Sequence, residues 1–215
     1  SSIRNIEIAL GIPRSTLSGW FRLVHLNKKQ KATLFNNCKK ALIKARGLAV
    51  AWHNKQKLNH LKEAEIEAQD VLNKLNTENS PTLELALAML YLGEGFKRNT
   101  TGIGNSDPMI LKFFIAVLIK NYEIPIDRLK CELHLRADQN LKKIKKYWAT
   151  ELQLPLENFG AISIDKRTAG SATYPHYKGV CIVRCGSIAI QRKLMYISRK
   201  FCQKTIDQCA RSSIG

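Results

Sequence analysis

The sequence predicts an α+β protein: an all-helical N-terminal part, then a domain in which helices cover one face of an antiparallel sheet. Three observations carry this. Residues 2–22 read as helix, tight turn, helix, and residues 27–75 as one long helical stretch rich in Lys, Ala, Leu, Asn and Gln. Beyond residue 80, helical stretches alternate with short extended ones, the clearest being Leu129 to Arg136, where apolar and polar residues alternate. Asn79-Ser80-Pro81-Thr82 separates the two parts and marks a domain boundary.

The elements follow in order. Ser2 caps a helix from Ile3 to Leu10, Gly11 stops it, and Ile12-Pro13-Arg14-Ser15 opens a second helix through Phe21. Ile6, Ala9, Ile12, Leu17 and Trp20 or Phe21 are spaced to bury one face. The long stretch 27–75 has Gly47 as its weak point. Its part 28–57 fits a solvated connector and a basic helix along a phosphate backbone equally well. A helix at 82–94 leads to an extended segment at 101–106. Asp107-Pro108 then starts a helix to about Asn121, with Asp at the cap and Pro in the first turn. Leu129 to Arg136 is a strand, 138–152 a helix, 159–166 and 178–185 strands, and 187–202 the last helix. The expected organisation is therefore 1–26 partial helix-turn-helix, 27–80 basic helical connector, 81–202 α/β domain and 203–215 tail.

Charge narrows the function. The chain has 215 residues, 45% of them hydrophobic, which is ample for a packed core in one or two domains. Its net charge is +18. Lys and Arg in this excess favour a polyanionic partner, because they displace counterions condensed on phosphates. Residues 1–60 hold twelve Lys and Arg against one acid, and residues 95–215 hold twenty-one against nine, so two basic zones flank a more balanced connector. An acidic membrane surface is the competing partner. No run of about 18 apolar residues exists to span a bilayer, and no signal-peptide pattern opens the chain. The expected location is cytoplasmic, nucleoid-associated or organellar, and not secreted. Six scattered cysteines, none in a C-x2-C pair, read as reduced buried thiols. His134 and His176 have no ligand-spaced partners.

Ala9 to Trp20 (A-L-G-I-P-R-S-T-L-S-G-W) resembles the core of bacterial helix-turn-helix domains. A Gly turn sets the helices at a steep angle, and Arg14, Ser15, Thr16 and Ser18 lie where the second helix of such a pair meets base edges. Such domains usually carry a further helix ahead of the pair, and here only Ser1 and Ser2 precede it.

Leu87 to Gly95 reads L-A-M-L-Y-L-G-E-G. A nearly all-apolar helix must be buried on most sides. This one ends abruptly in Gly93-Glu94-Gly95, which puts an acid at the helix C-terminus, where free carbonyls favour a cation. The stretch resembles the LAGLIDADG motif of homing endonucleases: Leu87, Ala88, Leu90 and Gly95 match, and Glu94 stands for the last acid. Met89 replaces a frequent Gly. The order of elements over 82–202 is also similar to that family's domain, and sporulation regulators of the WhiA type combine the same two modules in the opposite order.

The resemblance implies a sheet laid on double-stranded DNA and, from a single motif, a homodimer. Leu85, Met89, Leu92 and Gly93 would form the helix–helix contact. Glu94 of each copy, helped by the Gly93 carbonyl, would bind Mg²⁺, two or more ions per dimer, for phosphodiester hydrolysis. Lys97, as a catalytic residue, and Arg98 would hold phosphates near the scissile bonds. Strand residues Lys130, Glu132, His134 and Arg136, with Lys166, Arg167, Lys178 and Arg184, would contact DNA. Lys178 and Arg184 share parity with Val180 and Ile182, so that strand decides less. Lys142, Lys143, Lys145 and Lys146 form a basic helix face. The leading expectation is a site-specific endonuclease. A non-cleaving transcriptional regulator and an intron-RNA-binding splicing cofactor are the alternatives.

Overall fold

A computed structural model describes residues 2–212, in two compact units that divide between Asn73 and Lys74. In the first, helix α1 spans Ile3–Leu10, with the Ser2 hydroxyl accepting from the Asn5 amide and Gly11 left-handed at φ 66°. Helix α2 spans Arg14–Trp20 and tightens into a 3₁₀ turn at Phe21–Leu23. The Glu7 carboxylate accepts from the Arg14 amide at 3.1 Å, which places an acid on the α2 N-terminus. Of the face predicted to be buried, only Leu17 is, with Ile6 and Ile12 half-buried and Ala9 exposed. Trp20 remains 63% exposed. Helices of eight and seven residues offer each other one contact strip, and it closes over a single side chain.

Helix α3 runs unbroken from Lys28 to Lys74, through Gly47, and buries none of its side chains. One glycine costs a helix about 1 kcal/mol, too little to interrupt so long a run of good helix formers.

The second unit is the α+β part. Helix α4 spans Ser80–Glu94 with Pro81 in its first turn. Strand β1 spans Gly102–Asn105. Helix α5, Pro108–Tyr122, is capped by Asp107, whose carboxylate accepts from the Met109 amide at 2.8 Å. Strand β2 spans Lys130–Arg136, and α6 follows at Leu141–Leu152, capped by Asn140. Strands β3 (Phe159–Asp165) and β4 (Val180–Arg184) precede α7, Ile188–Ser212. The predicted tail is thus helical through Ser212. No Gly or Pro interrupts it, and Gln203 donates to Asp207 one turn on at 2.8 Å. Residues 213–215 lie outside the described residues.

The sheet order is β1-β4-β2-β3. β4 pairs antiparallel with both β1 and β2, but β2 and β3 are parallel, so the sheet is mixed and not antiparallel as predicted. The link from Arg136 to Phe159 explains this. It carries α6, and a helix-bearing crossover of a dozen or more residues is what a parallel neighbour needs.

One face of the sheet supplies Cys131, Leu133 and Leu135 from β2 and Cys181 and Val183 from β4. Against them pack Leu87, Ala88 and Tyr91 of α4, Phe114 of α5, Trp148 of α6 and Leu194 of α7. Buried Cys131, Cys181 and Cys185 fit the predicted thiols. Cys38 and Cys209 do not, being exposed, and Cys202 lies between. Among the described residues no helix is long and apolar enough to cross a membrane.

Candidate nucleic-acid interface

The second unit's helices α4, α5, α6 and α7 all contribute side chains to the core on one face of the sheet; the opposite face carries the polar set. Alternation along β2 turns Lys130, Glu132, His134 and Arg136 onto it, because Cys131, Leu133 and Leu135 point into the core. Register puts Lys130 opposite Arg184, Glu132 opposite Ile182 and His134 opposite Val180, so Arg184, Ile182 and Val180 share this open face. Arg184 donates to Glu132 at 3.1 Å and lies over the Phe96 ring at 5.1 Å. That pair offsets its own charge. Lys130 and His134 stand exposed beside it.

Arg136 lies on the predicted face of β2, and its guanidinium is engaged within the chain. Its guanidinium donates to the Thr173 hydroxyl at 2.8 Å and the Ser171 hydroxyl at 2.7 Å. Asp138 accepts from the Thr173 amide at 2.6 Å. These bonds tie the segment after β3 back onto the end of β2. They shape a groove of about 970 Å³, lined by His134 and Arg136 from the sheet and by Lys166, Arg167, Tyr174 and Tyr177 from that segment. Arg167 pairs with Asp165 at 2.9 Å, and its hydrogen bonds hold the Asp165 carboxyl below the usual range. Lys178 falls in the strand predicted at 178–185, but β4 begins at Val180 and leaves it in the preceding segment. Its ammonium is turned to the Pro175 carbonyl at 2.6 Å and the Tyr147 ring at 6.0 Å.

Arg136→Lys keeps the charge but loses the fork that holds two hydroxyls. It is expected to free residues 168–177 by about 1–2 kcal/mol of local stability. Faster amide exchange confined to that segment checks this; unchanged exchange contradicts the strut.

The end of α4 is built around Tyr91. Its buried hydroxyl donates to the Phe96 carbonyl at 2.8 Å and accepts from the Gly102 amide at 3.3 Å. This fixes the turn from the helix to β1. The Lys97 ammonium returns to the helix end and donates to the Tyr91 and Leu92 carbonyls, at 2.8 and 2.7 Å. Burial lowers the Lys97 pKa; the Glu94 charge opposes this and the Arg199 charge adds to it. Glu94 itself is exposed and accepts from the side-chain Nδ2 of Asn105, in β1, at 3.3 Å, so it stands at the sheet edge. Arg98 follows in the exposed turn. Along α4, Leu85 and Leu92 are half-buried, while Met89 and Gly93 are exposed. A Cβ on Gly93 would meet no atom within 4 Å.

The donors for a metal are few. Glu94 is one carboxylate, Lys97 already occupies two of the terminal carbonyls, and no group of three His, Cys, Asp or Glu able to hold a metal occurs among the described residues.

In the first unit, Arg14, Ser15, Thr16 and Ser18 are all exposed on α2. Sequence reasoning missed Asn105 as the partner of Glu94, since it reads only as part of the extended segment 101–106. It also missed the Ser171 and Thr173 hydroxyls, which lie about 35 residues from Arg136 and leave no local signal. No family model matches the chain, and no curated protein or solved structure is significantly similar to it.

Proposed function

We propose that this chain binds double-stranded DNA as a homodimer of the LAGLIDADG type and hydrolyses it with Mg²⁺ held between the copies. The observation that supports this best is the position of Glu94. It ends a helix whose outward strip, Leu85, Met89, Leu92 and Gly93, is not fully covered, and it stands at the edge of an open sheet face. Two copies joined along that strip bring two carboxylates together between two open faces. Like charges at short range need a cation between them. Glu94 and the Gly93 carbonyl of each copy would hold it, and Mg²⁺ when bound supplies an activated water and a stabilised leaving oxygen. Lys130, His134, Lys166 and Arg167 are the exposed basic contacts of the sheet side, with Arg98 in the turn after α4. Arg14, Ser15, Thr16 and Ser18 add contacts from the helix pair.

A second reading is a DNA-binding regulator without cleavage. It is favoured by Lys97, whose ammonium already answers the helix end and places a positive charge near Glu94.

Selection from a random duplex library tests the common part. Twofold-symmetric sites are expected, because a twofold protein reads a palindrome. No enrichment, or enrichment of structured RNA over duplex, contradicts it. Binding unaffected by chelator, with no nicking in any divalent metal, selects the second reading over the first.

A further inference from the structure

We propose that α7 and the end of α4 form a binding cleft for a DNA phosphodiester, with Arg192, Arg199 and Lys97 as its cations. This rests on the DNA-binding reading above and adds a contact surface from the helical layer to those on the sheet.

The cleft measures about 340 Å³ and lies between α7 and the Leu92–Lys97 end of the motif helix. Arg192, Met195, Tyr196 and Arg199 line it from α7. Their spacing of three, four and seven residues places them on one face of the helix. An arginine therefore stands at each end of the cleft wall, with Met195 and Tyr196 between. Lys97 closes the opposite side, and its position is fixed by the two α4 carbonyls it donates to. The buried Gln191 amide donates to the Lys97 carbonyl at 3.1 Å, which locks α7 against the turn after the motif.

Charge points to an anion. No carboxylate lines the cleft, and α7 has no acid before Asp207. Among the described residues, neither Arg192 nor Arg199 has a carboxylate within 4.0 Å, whereas the neighbouring Lys193 is paired with Glu84. Burial disfavours the Lys97 charge, the Glu94 carboxylate supports it and Arg199 opposes it; an anion in the cleft would add to that support. Guanidinium forks match phosphate oxygens. The apolar side chains of Met195 and Tyr196 beside them match the sugar that flanks each phosphate. A phosphodiester has both parts, and a free inorganic phosphate has only one.

The test is equilibrium binding of the full chain to a duplex of about 20 base pairs across a salt series. Arg192→Ala and Arg199→Ala are expected to weaken binding equally on unrelated sequences. Each lost phosphate contact makes the slope of log affinity against log salt shallower by about 0.9. Arg→Lys at either position keeps most of the slope. Both residues are exposed and outside the core, so the thermal midpoint should not move, which separates this effect from unfolding. Wild type that binds with a slope unchanged in the double alanine variant overturns the cleft alone. Wild type that fails to bind duplex at low salt overturns the DNA-binding reading and the cleft with it. Inorganic phosphate at constant ionic strength separates the sources: if it displaces duplex at concentrations matching the duplex phosphates, the cleft serves free phosphate and the inference fails.

Discussion

Gly95→Ala is expected to destabilise the second unit by about 1–3 kcal/mol, the usual cost of forcing a methyl into filled space. The Gly95 backbone, at φ −76°, suits any residue. The obstacle is Tyr91: a Cβ at Gly95 would lie 2.5 Å from its Cγ, its Cδ1 and its carbonyl oxygen. That ring cannot move aside. It is fully buried, stacked on Phe114 at 6.5 Å and held by its hydroxyl bonds to the turn. Gly93→Ala, two residues earlier, should do the opposite. Its methyl meets nothing within the chain, and alanine favours a helix over glycine by up to about 1 kcal/mol. Urea unfolding of the two variants checks the pair. Equal losses would mean that the two motif glycines do the same job.

Met89→Arg is expected to separate the proposed dimer and leave each copy folded. Met89 is 37% exposed, so a charged side chain there finds water in a single chain. In a helix–helix contact it would be buried without a partner, which costs several kcal/mol. Loss of the dimer also removes simultaneous contact with two half-sites. Affinity for a symmetric duplex site should then fall by about 10²–10⁴-fold. Sedimentation of the free variant, with binding to full and half sites, measures both effects. A wild type that is monomeric at micromolar concentration and on DNA contradicts the role given to this strip.

What the sequence disclosed was local. The alternation from Leu129 to Arg136 located β2 and its outward residues, because a half-buried strand needs period two. Asp107-Pro108 located the start of α5 through its cap. The run ending at Gly93-Glu94-Gly95 located α4 and its end. What it did not disclose depends on the third dimension. The parallel pairing of β2 and β3 comes from the α6 crossover, and its sign was visible in the length of that link. Arg136 looks like a surface contact in a strand pattern, but its partners Ser171 and Thr173 come from a segment without periodicity. Arg184 and Glu132 share a face with other charges, and only register shows that they pair. Lys97 reads from sequence only as a cation after the motif; that its ammonium is anchored on the helix end shows only in the fold, where terminal carbonyls and the helix dipole attract it.

The role of Glu94 as the working acid of a two-chain site on DNA is tested most directly by cleavage of a selected duplex. Wild type and Glu94→Gln are compared with Mg²⁺ at equal bound fraction. The account predicts that wild type cuts both strands. The variant should bind as well but cut at least about 10²-fold more slowly, a loss of about 2.7 kcal/mol in barrier lowering. Identical rates, or no cutting by either protein in any divalent metal, would contradict it.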